Sequence, residues 1–252
     1  MGKRIILDAG HGGWDNGAMF EGRKEKDDNL RLTLAVGNKL KELGNDIVYT
    51  RETDVYQSPV EKANIANRAG GDFFISFHRN ASPMENQYYG VQTLLYEDTG
   101  IKSELANKIN QSLAELGFQN LGNSVRKDLA VLRRTDMPAL LLEVGFINSD
   151  TDNAIFDQQF DQIAQNIANT IHTTLNQQEI PVTYSIQTGL FRYYENAQRL
   201  ADRLADWGYS VEIVEKDGYF AVLVGKFKQF ERAEVIEKIL QEDGFETWIV
   251  AR

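Results

Sequence analysis

Only three histidines occur in 252 residues, and two of them stand directly behind apolar runs of strand type. His11 follows Leu7-Asp8-Ala9-Gly10, and His78 follows Phe73-Phe74-Ile75-Ser76-Phe77. A third run, Leu140-Leu141-Leu142, ends in Glu143. In an α/β sheet the carboxyl ends of strands are where ligands bind, so three separated segments that each run out into a titratable residue point to one shared site. Two imidazoles there suit a divalent metal. The chain has no cysteine, so any further ligand must be His, Asp or Glu, and a catalytic zinc takes three protein ligands plus a water. Glu25, in Arg23-Lys24-Glu25-Lys26-Asp27, is the candidate third ligand; on composition alone the same residue reads as a solvated charge in a mixed-sign loop ahead of a helix. Gly10, Gly12 and Gly13 allow a tight turn around His11. Residue chemistry at this level specifies a hydrolase and no particular bond.

The elements that must position these residues follow from periodicity. Strands are predicted over Lys3 to Asp8, Asp46 to Thr50, Phe73 to Phe77, Val91 to Tyr96 and Ala139 to Val144, all rich in β-branched or aromatic residues. Helical spacing covers Asn29 to Leu43 and Ser103 to Leu116, each stopping before a glycine, and one long helix is predicted from Phe156 to Leu175. Alternation of strand and helix predicts an α/β domain over residues 1–176 around a sheet flanked by helices. A polar stretch ending at Pro181 makes 177–181 a linker. Residues 182–252 contain an internal repeat at an offset of 36: Ile186 with Val222, Gly189 with Gly225, Phe191 with Phe227, Leu204 with Leu240, Gly208 with Gly244. Each half reads strand, helix, strand, which predicts an α+β ferredoxin-like βαββαβ domain with one open sheet face.

Four segments in order, Leu7-Asp8-Ala9-Gly10-His11-Gly12-Gly13, Lys24-Glu25-Lys26-Asp27, Ser76-Phe77-His78-Arg79-Asn80-Ala81 and Leu142-Glu143-Val144-Gly145-Phe146, resemble the motifs of the type 3 zinc amidases, the N-acetylmuramoyl-L-alanine amidases. That resemblance implies a mostly parallel central sheet, Zn2+ held by His11, Glu25 and His78, and a catalytic role for Glu143. It also implies the bond cleaved, between the lactyl group of N-acetylmuramic acid and L-alanine of the stem peptide. The chemistry agrees: Glu143 would take the water proton and pass it to the departing amine, a task that suits a carboxyl with its pKa raised by Leu141, Leu142 and Phe146. Arg126 resembles a residue ahead of the family's catalytic strand and would meet a substrate carboxylate; a surface arginine is the plainer account. Asn80 is assigned either to substrate or to a cap after its strand. His172, on the long helix, reads as structural or solvent-facing. Tyr184-Ser185-Ile186-Gln187-Thr188-Gly189 and its matched second half resemble a SPOR domain, which implies binding to peptidoglycan glycan strands.

Net charge of −10 and a pI near 4.9 argue against a nucleic-acid partner. No apolar run has the length of a signal-peptide core or a membrane span, so synthesis in the bacterial cytoplasm and later release to the wall are expected, as for a phage endolysin or a mother-cell lysis enzyme. Oligomeric state is left open. Three rivals are weighed. A dinucleotide site fits poorly, because Gly10-His11-Gly12-Gly13 departs from GxGxxG and no helix pattern follows it. A non-catalytic wall binder does not account for all four chemical residues, and a zinc hydrolase of another wall bond would differ in its product.

Overall fold

The computed structural model describes residues 2–176, 183–227 and 230–252, and the chain divides into two compact units, Met1–Gln177 and Gln178–Arg252. The linker expected at 177–181 lies outside the described residues. In chain order the first unit contains β1 (Arg4–Ala9), β2 (Met19–Phe20), β3 (Arg23–Lys24), α1 (Glu25–Glu42), β4 (Asp46–Tyr49), α2 (Pro59–Ala69), β5 (Phe73–Asn80), β6 (Val91–Leu95), α3 (Gly100–Ala114), β7 (Asn120–Val125), α4 (Ala130–Arg133), β8 (Ala139–Phe146), α5 (Asp150–Gln158) and α6 (Phe160–Asn176). Six strands form the central sheet in the order β4-β1-β5-β8-β6-β7. Every pairing is parallel except β6 with β8, so the sheet is mostly parallel, as the sequence predicts.

Both faces of this sheet are covered, which is why its central strands read as unbroken apolar runs. Ile5, Leu7, Phe73, Ile75, Phe77, Leu140 and Leu142 pack against α1, α3 and α6. The alternate residues Ile6, Phe74, Ala139 and Leu141 face α2 and α4. The second layer is thin, because α4 is a single turn of four residues. His78 and Glu143 alternate with the first set and therefore share the thinly covered face, where a cleft can open.

Several elements differ from expectation. Helix α1 begins at Glu25 rather than near Asn29, so Glu25 is the first helical residue and not part of a loop. The single helix expected from Phe156 is two, α5 and α6, broken at Gln159 (φ −118°, ψ 22°). Helix α2, with a Ser58 capping box and Pro59 in its first turn, and strand β7, with the weakly apolar sequence Asn-Leu-Gly-Asn-Ser-Val, escape a reading based on hydrophobic period. Strands β5 and β8 run three and two residues further than predicted, which carries His78 inside the ladder beside Glu143, already within its predicted strand.

The second unit contains β9 (Tyr184–Phe191), α7 (Tyr194–Asp206), β10 (Val211–Lys216), β11 (Tyr219–Phe227), α8 (Phe230–Glu242) and β12 (Trp248–Ala251). Its sheet runs β10-β11-β9-β12, entirely antiparallel, the ferredoxin-like order. The repeat has a physical counterpart. A Cβ on Gly189 would strike the Phe191 ring, and one on Gly225 the Phe227 ring, so in each half a phenylalanine folds back over the glycine two residues before it. Both helices end alike: Gly208 and Gly244 are left-handed (φ 90° and 87°), and the amides of Tyr209 and Phe245 return to the carbonyls of Leu204 and Leu240.

Candidate metal centre

Parallel pairing of β1, β5 and β8 brings the ends of three strands to one edge. Ala9 is level with Phe77, and His78 is directly level with Glu143. Residues level on neighbouring strands point to the same face. The turn after β1 then bends back sharply. His11 takes a left-handed backbone (φ 60°), which costs a non-glycine residue about 1 kcal/mol. Its neighbours hold it there: Gly12 and Asp15 exchange two backbone hydrogen bonds of 3.0 and 3.1 Å, closing a turn with Gly13 and Trp14 at its tip. Gly10 has a separate duty, since a Cβ there would collide with the His78 ring.

Ligand atoms of His11, Glu25 and His78 lie within 4.8 Å of one another. Glu25 bridges the two imidazoles: Oε2 is 3.1 Å from His11 Nε2, and Oε1 is 2.9 Å from His78 Nδ1. The amide of Ala18 donates to Oε2 (2.9 Å), and the amide of Arg79 and the side chain of Asn29 donate to Oε1 (both 3.2 Å). Burial alone would push the Glu25 carboxyl up, but hydrogen bonds and charge from both histidines outweigh it and hold the group far below the usual carboxylate range. On the far side of His11, Nδ1 meets Asp15 Oδ2 at 2.8 Å, which leaves Nε2 to face the cluster. A carboxylate behind a histidine in this way fixes its tautomer and orientation for a metal.

The support beneath the cluster is buried and ionic. Arg51, 3% exposed, donates to the carbonyls of Ala9, Gly10 and Lys26 (3.0, 3.0 and 2.9 Å), tying the His11 turn to the start of α1. Lys62 from α2 pairs with Asp8 at 2.7 Å, and Asp8 also accepts from Thr50 and Ser76. Arg79, next to His78 but on the opposite face, pairs with Asp28 at 2.6 Å and lies 4.2 Å over the Phe156 ring. None of these partners is legible in sequence, where the hydrogen-bonded and ionic ones stand 25 to 68 residues apart.

Glu143 is differently placed. Its Oε2 is buried and has no hydrogen-bond partner among the described residues, and burial pushes the carboxyl up to about 7, against the lowering pull of His78. A carboxyl poised there can take or give a proton near neutral pH. Arg126 is half-exposed at the rim, in a bidentate pair with Asp128 (2.9 and 2.8 Å), close enough to be felt electrostatically by Glu143. Asn80 caps locally: its Oδ1 accepts from the amide of Ala81 at 2.8 Å. His172 is remote from the cluster, bonded to Asn45 at 3.0 Å. A cleft of about 340 Å3 lies at the site, lined by His11, His78 and Asp15, by Asp128, Leu129, Ala130 and Val131, and by Gln57, Pro59 and Lys62.

Comparison with known proteins identifies the family of each unit. The family profile described as N-acetylmuramoyl-L-alanine amidase matches residues 5–173, and that of the SPOR domain matches residues 181–251. The chain is 32% identical over 226 residues to the sporulation-specific N-acetylmuramoyl-L-alanine amidase of Bacillus subtilis (strain 168), covering 85% of each chain. It is 36% identical over 184 residues to the endolysin of Bacillus phage SPP1, covering 70% of this chain and 67% of that one. Among solved structures, the N-acetylmuramoyl-L-alanine amidase from Clostridium difficile 630 superposes with a TM-score of 0.64 at 30% identity, over 70% of this chain and 98% of that one.

Proposed function

Because this chain belongs to the N-acetylmuramoyl-L-alanine amidase family and is a peptidoglycan hydrolase, we propose that His11, Glu25 and His78 hold a catalytic Zn2+ and that Glu143 moves the protons of amide hydrolysis. The observation that carries this reading is the juxtaposition of a three-residue ligand cluster with a buried carboxyl oxygen that has no partner of its own. The donor set fits zinc: two imidazole nitrogens and one carboxylate, no thiolate, with His11 aimed by Asp15 on its other nitrogen. When bound, zinc supplies Lewis-acid polarisation of the scissile carbonyl and makes water acidic enough to attack near neutral pH.

The chain's own residues do the rest. Glu143 Oε2 accepts the proton of the attacking water and returns it to the nitrogen of L-alanine as the carbon–nitrogen bond breaks, so acid and base are one group used twice. Asp15 keeps His11 Nδ1 occupied, so that Nε2 faces the cluster. Arg126 is suited to a carboxylate of the stem peptide through the guanidinium fork that Asp128 now occupies, an exchange of one exposed partner for another. Asn80 would act by shaping the loop after His78, with its side chain already committed to Ala81. The SPOR domain targets the enzyme to the cell wall, where it would grip glycan strands and raise the local concentration of the catalytic unit at its polymer.

The test is metal content of the purified chain measured beside the free amino groups it releases from peptidoglycan, with and without chelator. Stoichiometric zinc and chelator-sensitive release of L-alanine amino termini are expected. Zinc with release of acetate, or with no release at all, would overturn the amidase chemistry.

A further inference from the structure

Trp14 and Tyr56 sit beside the cleft, and the reading of the site above gives them no work. Trp14 is 75% exposed and Tyr56 39%, yet their rings are stacked with centroids 4.2 Å apart and planes inclined at 31°. Two large aromatics held together in solvent call for a reason, because each would bury more surface apart from water.

The pair is built in rather than draped on the surface. Trp14 is at the tip of the turn closed by Gly12 and Asp15, whose Asp15 carboxylate orients His11. The turn is interlocked with the Asp54–Tyr56 segment at two glycines: a Cβ on Gly12 would strike the Val55 carbonyl, and one on Gly13 would come within 2.7 Å of the Tyr56 nitrogen. Asp54 accepts from the amide of Gly13 at 2.8 Å and pairs with Lys26 at 2.6 Å, and Lys26 also donates to the Gly13 carbonyl at 2.7 Å. Lys26 and Asp54 pair with one another, Lys26 buried and the Asp54 side chain half-exposed, and the ring faces of Trp14 and Tyr56 are offered to solvent alongside.

Next to Tyr56, Gln57 lines the cleft with an unmet acceptor. Its Nε2 donates to the Thr50 carbonyl at 2.6 Å, which can only accept and so fixes the amide orientation. Oε1 is left buried with no partner among the described residues. An unpaired buried amide oxygen is costly, and a ligand N–H entering the cleft relieves that cost.

We propose that Trp14, Tyr56 and Gln57 form the subsite for the N-acetylated sugar of the substrate, the aromatic pair lying against the sugar ring and Gln57 Oε1 accepting the acetamido N–H. The assignment rests on the amidase reading: when the scissile amide is at His11, Glu25 and His78, the sugar on one side and the peptide on the other must leave in opposite directions. Arg126 offers a guanidinium fork that suits peptide carboxylates, whereas Trp14 and Tyr56 offer ring faces that suit a sugar, whose hydroxyl-free ring faces stack on aromatic rings.

Two soluble disaccharide–peptide substrates that differ only at C2 of the muramoyl sugar, acetamido in one and hydrogen in the other, test this with the full chain, because hydrogen leaves no donor for Gln57 Oε1. Wild type should prefer the acetamido substrate about tenfold in kcat/KM, the worth of one good hydrogen bond in a dry site. Gln57→Leu should bring that preference close to one. Trp14→Ala should raise KM roughly five- to tenfold on both substrates with bound zinc unchanged, and Trp14→Phe should restore most of the loss. A wild type that releases amino groups from peptidoglycan yet shows no preference at C2, or a Trp14→Ala chain with unaltered KM, overturns the subsite. A wild type that releases none from peptidoglycan overturns the amidase reading itself.

Discussion

Glu143 concentrates the competing demands on this fold. It is set into the sheet edge by an apolar strand, with one oxygen unpartnered, and a carboxyl so placed holds its proton up to about pH 7. Relative to the ordinary value of 4.5, the folded chain binds that proton more tightly than the unfolded chain, so its linkage lowers stability as pH rises from about 4.5 through about 7. Glu143→Gln removes the titration. In chelator, the variant should be more stable than wild type at pH 8 by up to about 3 kcal/mol and no more stable at pH 4, read from urea midpoints at the two pH values. In zinc the same variant should keep its metal and lose about 10²–10⁴-fold in kcat, while His11→Ala and His78→Ala lose metal and activity together. A Glu143→Gln chain with full turnover would remove the residue from the chemistry. Asp15 belongs to the same scale: Asp15→Ala frees His11 Nδ1 and should weaken zinc binding about 10- to 100-fold in a competition titration, with the fold intact by circular dichroism.

At the level of elements, the site depends on how β1, the turn behind it and α2 are pinned together. Gly10 makes room for the His78 ring, so Gly10→Ala should displace that ring and abolish stoichiometric zinc binding while the sheet survives, a loss visible as metal content far below one per chain. Lys62 reaches from α2 to Asp8 and the Ala9 carbonyl with both partners out of solvent. Lys62→Met would strand Asp8 as a buried charge and should cost about 3–5 kcal/mol in urea unfolding at pH 7. A cost below about 1 kcal/mol would mean that Thr50 and Ser76 suffice for Asp8. Both changes act through packing and charge support and not through proton transfer, which separates them from Glu143.

For the whole molecule, the division into two units sets the expectation for truncation. Each unit has its own buried cluster: the first around the six-stranded sheet, the second from Ile186, Leu204, Val222 and Leu240. Removal of residues 178–252 should therefore leave hydrolysis of small soluble muropeptides within about twofold of wild type and sharply reduce sedimentation with insoluble peptidoglycan. Loss of activity on soluble substrates as well would make the second unit part of the active site. No helix among the described residues is long and apolar enough to cross a membrane.

How much of this was legible in the chain alone depends on the range over which each feature is decided. Apolar runs at Ile5, Phe73 and Leu140 announce strands, because a parallel strand buried on both faces must be apolar throughout. The offset of 36 announces two matched halves, because the same glycine and phenylalanine must meet in each. His11, His78 and Glu143 stand out because titratable residues are rare at the ends of such runs. Glu25 did not: among Arg23, Lys24 and Lys26 it reads as a solvated charge, and only the register that places His11 and His78 on either side of it makes it a buried bridging carboxylate. Strand β7 and helix α2 carry too little periodic hydrophobicity to be seen locally. Asp15 behind His11, Lys62 beneath Asp8, Arg51 under the turn and the stacked Trp14 and Tyr56 are decided by tertiary structure, since charge pairing and ring stacking depend on distance in space, which sequence spacing does not encode.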